Sequence, residues 1–267
     1  MDLKKTLLLV GLSSGLAHAD VEGTVSASYS SEYVYRGVNF GDNLTTLNIT
    51  ASGEAAGLTW HAGLLHGNSE LGESLDGLSG ALASDPFGPP FPIGDITLQE
   101  TRMTLGVSKS LTDSVSVNAG MIVTSYDIAD SDRREIYVGA STQVAGIDLS
   151  GTVFFNDSSV YSGDAYYELS ASYHHCMGDG LGATLAVTYG NWDEDPFTGL
   201  LNEEAGVDFL VPLDDVDFFS ISAALTKDFG DGVSGTLSVT HTISDNEGLI
   251  QLTEDETVVG ASVSLSF

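Results

Sequence analysis

Apolar and polar positions alternate along nearly the whole chain with a period of two, the repeat of a strand whose successive side chains point to opposite faces. One face reads Val115, Val117, Ala119, Met121, Val123 in one stretch, Leu181, Ala183, Leu185, Val187, Tyr189 in another, and Val259, Ala261, Val263, Leu265, Phe267 in the last. No stretch holds a convincing 3.6-residue period. The pattern predicts an all-β chain of twelve strands, at 21–36, 44–52, 57–67, 96–109, 114–127, 133–145, 146–156, 164–176, 181–191, 216–229, 232–244 and 255–267. Most run well past the roughly 5 or 6 residues usual in soluble strands. They suit the tilted crossing of a bilayer, for which about 9 to 11 residues suffice.

The two faces differ in what they can meet. Opposite the apolar face stand Thr236, Ser238, Thr240, Thr242 and Gly260, Ser262, Ser264, Ser266. A soluble sandwich turns a charge-rich face to bulk water; small hydroxyl residues and glycine suit a crowded, wet lumen. The connections point the same way. Those after odd-numbered strands are predicted at 37–43, 68–95, 128–132, 157–163, 192–215 and 245–254, whereas those after even-numbered strands are as short as "GEAA", "SLTD", "AG" and two copies of "GDG". Long external loops alternating with short turns are the habit of a transmembrane antiparallel β-barrel. Outward aromatics fall into two girdles: Tyr33, Tyr35, Phe155, Tyr167, Tyr189 and Phe219 near the loops, and Trp60, Tyr173, Phe229 and Phe267 near the turns.

Composition narrows the class of protein. Residues 1–19 have Lys4 and Lys5, a short apolar core and "AHA" before Asp20, the three parts of a secretory signal peptide cleaved between Ala19 and Asp20. The barrel then occupies residues 20–267, with long loops at about 68–95 and 192–215. The whole chain carries eight basic residues against 38 acidic ones, a net charge of −30. That balance excludes a basic nucleic-acid surface and favours cations or a salty milieu as partners. Cys176 has no second cysteine to pair with and reads as a small, partly buried apolar residue. His61, His66, His174 and His175 lack metal-ligand spacing. Asp193, Asp195 and Glu204 match three positions of a calcium loop, but Phe197 and Thr198 occupy positions that such a loop requires for a ligand and a glycine. No metal site or other cofactor is expected.

The run "SASYSSEYVYRGVNF" resembles the opening strand of the TorF-type family, proteobacterial outer-membrane barrels assigned as porins with a poorly defined substrate. The matching positions are Ser31, Tyr33, Tyr35, Arg36 and Gly37. "HAGLLHGN", "REIYVGAS" and "YYELSASY" resemble later strands of the family, while residues 69–95, with "DPFGPPFP", depart from it. The resemblance implies an outer-membrane barrel acting as a porin. The closing strand "VVGASVSLSF" ends on Phe267 and is similar to the C-terminal signal read by the barrel-assembly machinery.

Arg36 is one of only six cations beyond the leader, with Arg102, Lys109, Arg133, Arg134 and Lys227. Parity turns it inward, with Glu32. Glu32 is a poor partner, because Cα atoms four residues apart on a strand lie about 13 Å apart. Closing the barrel brings the twelfth strand beside the first, so Arg36 is expected to bridge to Glu254 or Glu256, either as a clamp or as a filter for solutes. Glu100, Arg102, Glu135 and Glu168 also face inward and could complete a charged ring of the kind that tunes selectivity. Acidic clusters such as "DIADSD" and "TEDET" in the long loops would solvate the exterior, concentrate cations, or meet neighbouring lipopolysaccharide through divalent ions. His241 is outward, and Val239 and Ile243 beside it on its strand offer no nucleophile, so catalysis is not expected. Together these features predict a passive channel for small solutes, favouring cations, in the outer membrane of a Gram-negative bacterium. The competing expectation is a non-conducting surface barrel that displays acidic loops for adhesion or envelope stability.

Overall fold

A computed structural model describes residues 21–36, 38–70, 97–127, 132–156, 165–192, 216–245 and 255–267. They form twelve strands: β1 (Val21–Tyr35), β2 (Val38–Ala55), β3 (Leu58–Glu70), β4 (Thr97–Ser110), β5 (Val115–Tyr126), β6 (Asp132–Val144), β7 (Ile147–Asn156), β8 (Ala165–Gly178), β9 (Leu181–Trp192), β10 (Val216–Gly230), β11 (Val233–Asp245) and β12 (Glu256–Ser266). Each strand pairs antiparallel with its sequence neighbour, and β1 pairs with β12, closing the sheet into a barrel. Closure leaves no open edge, which is the condition for strands to exist in hydrocarbon. The expected leader, residues 1–19 with Ala19 and the following Asp20, lies outside the described residues, as does almost all of the 68–95 and 192–215 loops. Within the first of these, Asn68, Ser69 and Glu70 belong to β3 rather than to the loop.

Four of the five short turns fix their hairpins by backbone conformation. Ala56–Gly57, Ala145–Gly146, Asp179–Gly180 and Asp231–Gly232 all have positive φ at both positions, the type I′ arrangement whose twist matches that of the flanking strands. The outer face is apolar and open, with Leu237 at 65% and Leu169 at 60% exposure. Phe155, Tyr167, Tyr189 and Phe219 at one end, and Tyr173, Phe229 and Phe267 at the other, point outward as the girdles require. Inside, paired hydroxyls run across the strands: Ser28 with Thr46 at 2.6 Å, Ser220 with Thr242 at 2.8 Å, and Thr226 with Thr236 at 2.9 Å. Phe267 ends the wall by exchanging both backbone hydrogen bonds with Gly23, and its ring lies over that glycine.

Two expectations fail in the first hairpin. β2 begins at Val38, so the connection after β1 is two residues instead of the predicted loop 37–43. Tyr33 and Tyr35 do not belong to the outer girdle: Tyr33 is 6% exposed and packs with Phe40 and Leu98, with Tyr35 against them. The reason lies in the register. β1 pairs with β12 only as far as Ser30 and Gly260, and the β1–β2 ladder shifts between Glu32 and Val34, so side-chain parity no longer holds beyond that point. Cys176 also differs from expectation. It is exposed, near the turn end of β8, with Sγ 3.6 Å from His174 Nε2.

Candidate functional site: the occupied mouth of the barrel

Beyond Ser30 the tip of the β1–β2 hairpin leaves the wall and crosses the lumen. On its near side the Tyr33 hydroxyl donates to Glu100 Oε2 on β4. The other carboxylate oxygen of Glu100 meets Arg102 Nη2 at 2.8 Å, and the Arg102 guanidinium lies 4.4 Å from the centre of the Tyr35 ring. Tyr126 of β5 packs against the same buried cluster. Arg36, at the very tip, has a left-handed backbone with φ of 53°.

From there Arg36 reaches the opposite wall. Its Nη1 bonds Glu135 Oε1 on β6 at 2.6 Å, and its guanidinium lies 4.3 Å from the ring centre of Phe154 on β7 and 4.1 Å from that of Tyr166 on β8. In a ring of twelve strands, β7 stands opposite β1. Arg36 therefore spans the lumen. Arg133 shares the same Glu135 oxygen at 2.9 Å, while Glu135 Oε2 is buried without a hydrogen-bond partner among the described residues. Tyr166 donates to Glu168 Oε2 at 2.8 Å and stacks on Phe218 of β10, with ring planes 5° apart. Burying a guanidinium costs several kcal/mol unless a carboxylate and polarisable faces replace its water; both are supplied here.

Small residues on the wall make room for these rings. A Cβ at Gly190 would collide with Phe218 and Tyr166, and one at Gly106 or Gly120 with the Tyr137 hydroxyl. Tyr137 thereby lies flat across β4 and β5 to meet His61 Nε2 on β3 at 2.7 Å. Below the hairpin tip, a cavity of about 320 Å³ is lined by Ser30, Glu32, Glu100, Arg102, Thr242 and Val258 among others. A second, of about 490 Å³, continues along β2 to β4 past Asn48, His61 and Thr104, and shares Arg102 and Leu65 with the first.

The inward residues named from sequence parity are thus brought together, with different partners. Arg36 pairs with Glu135 rather than Glu256, because the hairpin tip turns away from β12. Glu256 instead accepts from Asn39 Nδ2 at 3.0 Å, and the same amide stands 3.5 Å from Glu32. Glu254 lies outside the described residues. Glu100 and Arg102 pair with each other, and Glu168 holds Tyr166. His241 is exposed, as expected, but its Nδ1 lies 3.0 Å from Thr257 Oγ1 on β12, a neighbour across strands that inspection along its own strand does not reveal. No group of three or more metal-ligating side chains occurs among the described residues.

Phe154, Tyr166 and Phe218 escape the sequence-based reading, which counts Arg133 only among the cations. A signal was present: aromatic pairs Phe154–Phe155, Tyr166–Tyr167 and Phe218–Phe219 each close the loop end of a strand. In each, one ring enters the girdle and its neighbour enters the lumen.

No protein-family model matches the chain, and no curated relative matches it. Solved structures do. A KdgM porin aligns over 91% of this chain and 99% of its own, with a TM-score of 0.51 and 8% identity. An outer membrane channel from Pseudomonas putida F1 aligns over 93% and 95%, with a TM-score of 0.55 and 11% identity. The translocator domain of the autotransporter NalP from Neisseria meningitidis aligns over 99% and 95%, with a TM-score of 0.51 and 11% identity. At such identities the likeness carries the fold alone: the chain is a closed, twelve-stranded antiparallel barrel of the architecture that outer-membrane proteins use.

Proposed function

We propose that this chain is an outer-membrane porin of the TorF type, a passive channel for small solutes that favours cations. The observation that carries the reading is the lumen itself. Its wall carries hydroxyl pairs and small residues, and two adjoining cavities beneath the hairpin tip share Arg102 and Leu65 in their linings, the room that a solute path needs. Two of the similar structures bear the names porin and outer membrane channel, which supports the same conclusion. Twelve strands lie between the filled barrels of eight and the open porins of sixteen, so the pore is narrow, and the first hairpin narrows it further.

The cation preference has its own support. Among the described inward groups, Glu32, Glu100, Glu135, Glu168 and Glu256 outnumber Arg36, Arg102 and Arg133, and the chain as a whole is strongly acidic. Export by the leader, insertion guided by the Phe267-terminated strand, and contact of the acidic loops with lipopolysaccharide belong to the same proposal. The lipid-facing His241–Thr257 contact carries no catalytic reading, since a base and a hydroxyl need an orienting group and a stabiliser for the developing charge as well.

One observation favours the second reading, a non-conducting surface barrel: Arg36 lies across the mouth. Single-channel recording of the refolded protein in planar bilayers separates the two. Step currents are expected from wild type, with larger steps from Arg36→Ala; silence from both proteins would overturn the porin reading. In a salt gradient the reversal potential should show cation preference, and an anion preference would refute that part.

A further inference from the structure

The group held against the far wall of the lumen is a guanidinium on a tether. Phe154 and Tyr166 face it from the far wall at 4.3 and 4.1 Å, and Glu135 Oε1 binds it at 2.6 Å. None of these three side chains belongs to the hairpin: they stand on β7, β8 and β6, whose backbones pair with one another in the wall. Glu135 is 2% exposed and its Oε2 has no hydrogen-bond partner among the described residues, so the cage offers an acceptor that Arg36 leaves unused. Its charge also depends on occupancy. With Arg36 in place, Glu135 and Glu168 are balanced by Arg36 and Arg133. With the tip withdrawn, one negative charge remains beside two aromatic faces.

An aromatic pair with a carboxylate is a receptor for organic cations. We infer that the Glu135–Phe154–Tyr166 cage is a solute site for guanidinium or primary-ammonium compounds, and that Arg36 occupies it as a tethered competitor until such a solute displaces it. This names the substrate class of the porin proposed above and rests on that reading only for passage, not for binding. The rigid wall provides the site, and the hairpin tip provides the occupant.

Tethering gives Arg36 an effective concentration on the order of millimolar. A free cation must outcompete it, so removing the competitor should sharpen binding. Agmatine titrated into the detergent-refolded full chain is expected to bind Arg36→Ala at least about tenfold more tightly than wild type. Adding Glu135→Gln to Arg36→Ala should lose that gain, and glutamate should not bind either protein. Heat-resistant electrophoretic mobility and far-ultraviolet circular dichroism identify folded variants. Equal agmatine affinity in folded Arg36→Ala and wild type, or equal binding of glutamate, overturns the inference. Wild type supplies a second measurement that needs no variant. Agmatine in excess over the effective concentration of the tether should speed deuterium exchange at residues 33–40, and unchanged exchange there overturns the displacement. Conductance keeps the two proposals apart. Selective agmatine binding without step currents would leave the cage standing and sink the porin, whereas step currents without agmatine binding would do the reverse.

Discussion

The turn end and the loop end of this barrel are built on different principles. At the turn end, four two-residue turns with paired positive φ values set the registers, and hydroxyls of facing strands satisfy one another across an unobstructed wall. Each contact there is worth only tenths of a kcal/mol, and strength comes from the closed ladder. At the loop end the ladder between β1 and β12 stops at Ser30, the first hairpin turns inward, and buried charges stand on aromatic rings. Few contacts carry the arrangement, and each matters. The contrast teaches where specificity can reside: the wall is a repetitive scaffold, and the mouth is a built device.

Breaking the device should cost most. Glu135→Leu leaves the Arg36 guanidinium buried without its carboxylate, and removing one partner of a buried pair costs about 3–5 kcal/mol. The loss should appear as deuterium exchange confined to residues 33–40, with β5 to β9 still protected; exchange spreading around the whole barrel would show that the mouth also supports the wall. Arg36→Leu combined with Glu135→Leu should restore only part of that protection, because an apolar pair replaces the Arg36–Glu135 ion pair while Arg133 still loses the carboxylate oxygen it shared.

Next in size is a charge on the lipid face. Val239→Arg, near the middle of β11 and 43% exposed, is expected to cost about 2–4 kcal/mol in unfolding titrations in lipid vesicles. Its inward neighbour Thr240→Arg should change conductance far more than stability. Similar stability losses for both would contradict the assignment of faces.

At the turn end the effects shrink. Gly57 has φ of +74° and nothing within 4 Å of where a Cβ would stand, so Gly57→Ala isolates the backbone cost, about 1 kcal/mol. Thr226→Ala removes one partner of the hydroxyl pair with Thr236 and should cost about 0.2–1 kcal/mol. A cost at Thr226 matching that at Glu135 would erase the distinction between scaffold and device.

How far the sequence led follows the same line. Strand after strand was legible, because a wall with lipid on one side and a wet lumen on the other imposes a strict period of two. The turns were legible by their shortness and their glycines: Asp-Gly suits a left-handed pair, whereas Ala56 and Ala145 take a positive φ that alanine disfavours, and the first turn falls at Ala56–Gly57, at the end of "GEAA". Glu32, Glu100, Arg102, Glu135, Glu168 and Glu256 turn inward as parity on the wall requires; Arg36 lies inward past the register shift, where the turned hairpin tip places it. The start of β2 was not legible: "VNFGDN" is polar and glycine-bearing and reads as loop, yet it pairs as a strand because the hairpin tip has an interior of its own to dock against.

What the sequence determined by itself, then, is the wall: alternation, strand length and turn chemistry are local properties, and each residue reports its own face. Only the tertiary structure decided who meets whom inside. Tyr33 against Glu100, and Arg36 against Glu135, Phe154 and Tyr166, are contacts across a lumen, between strands far apart in the ring and joined by no ladder. Parity can say that a side chain points inward; the curvature of the closed barrel and the shift of register at the hairpin tip decide what it finds there.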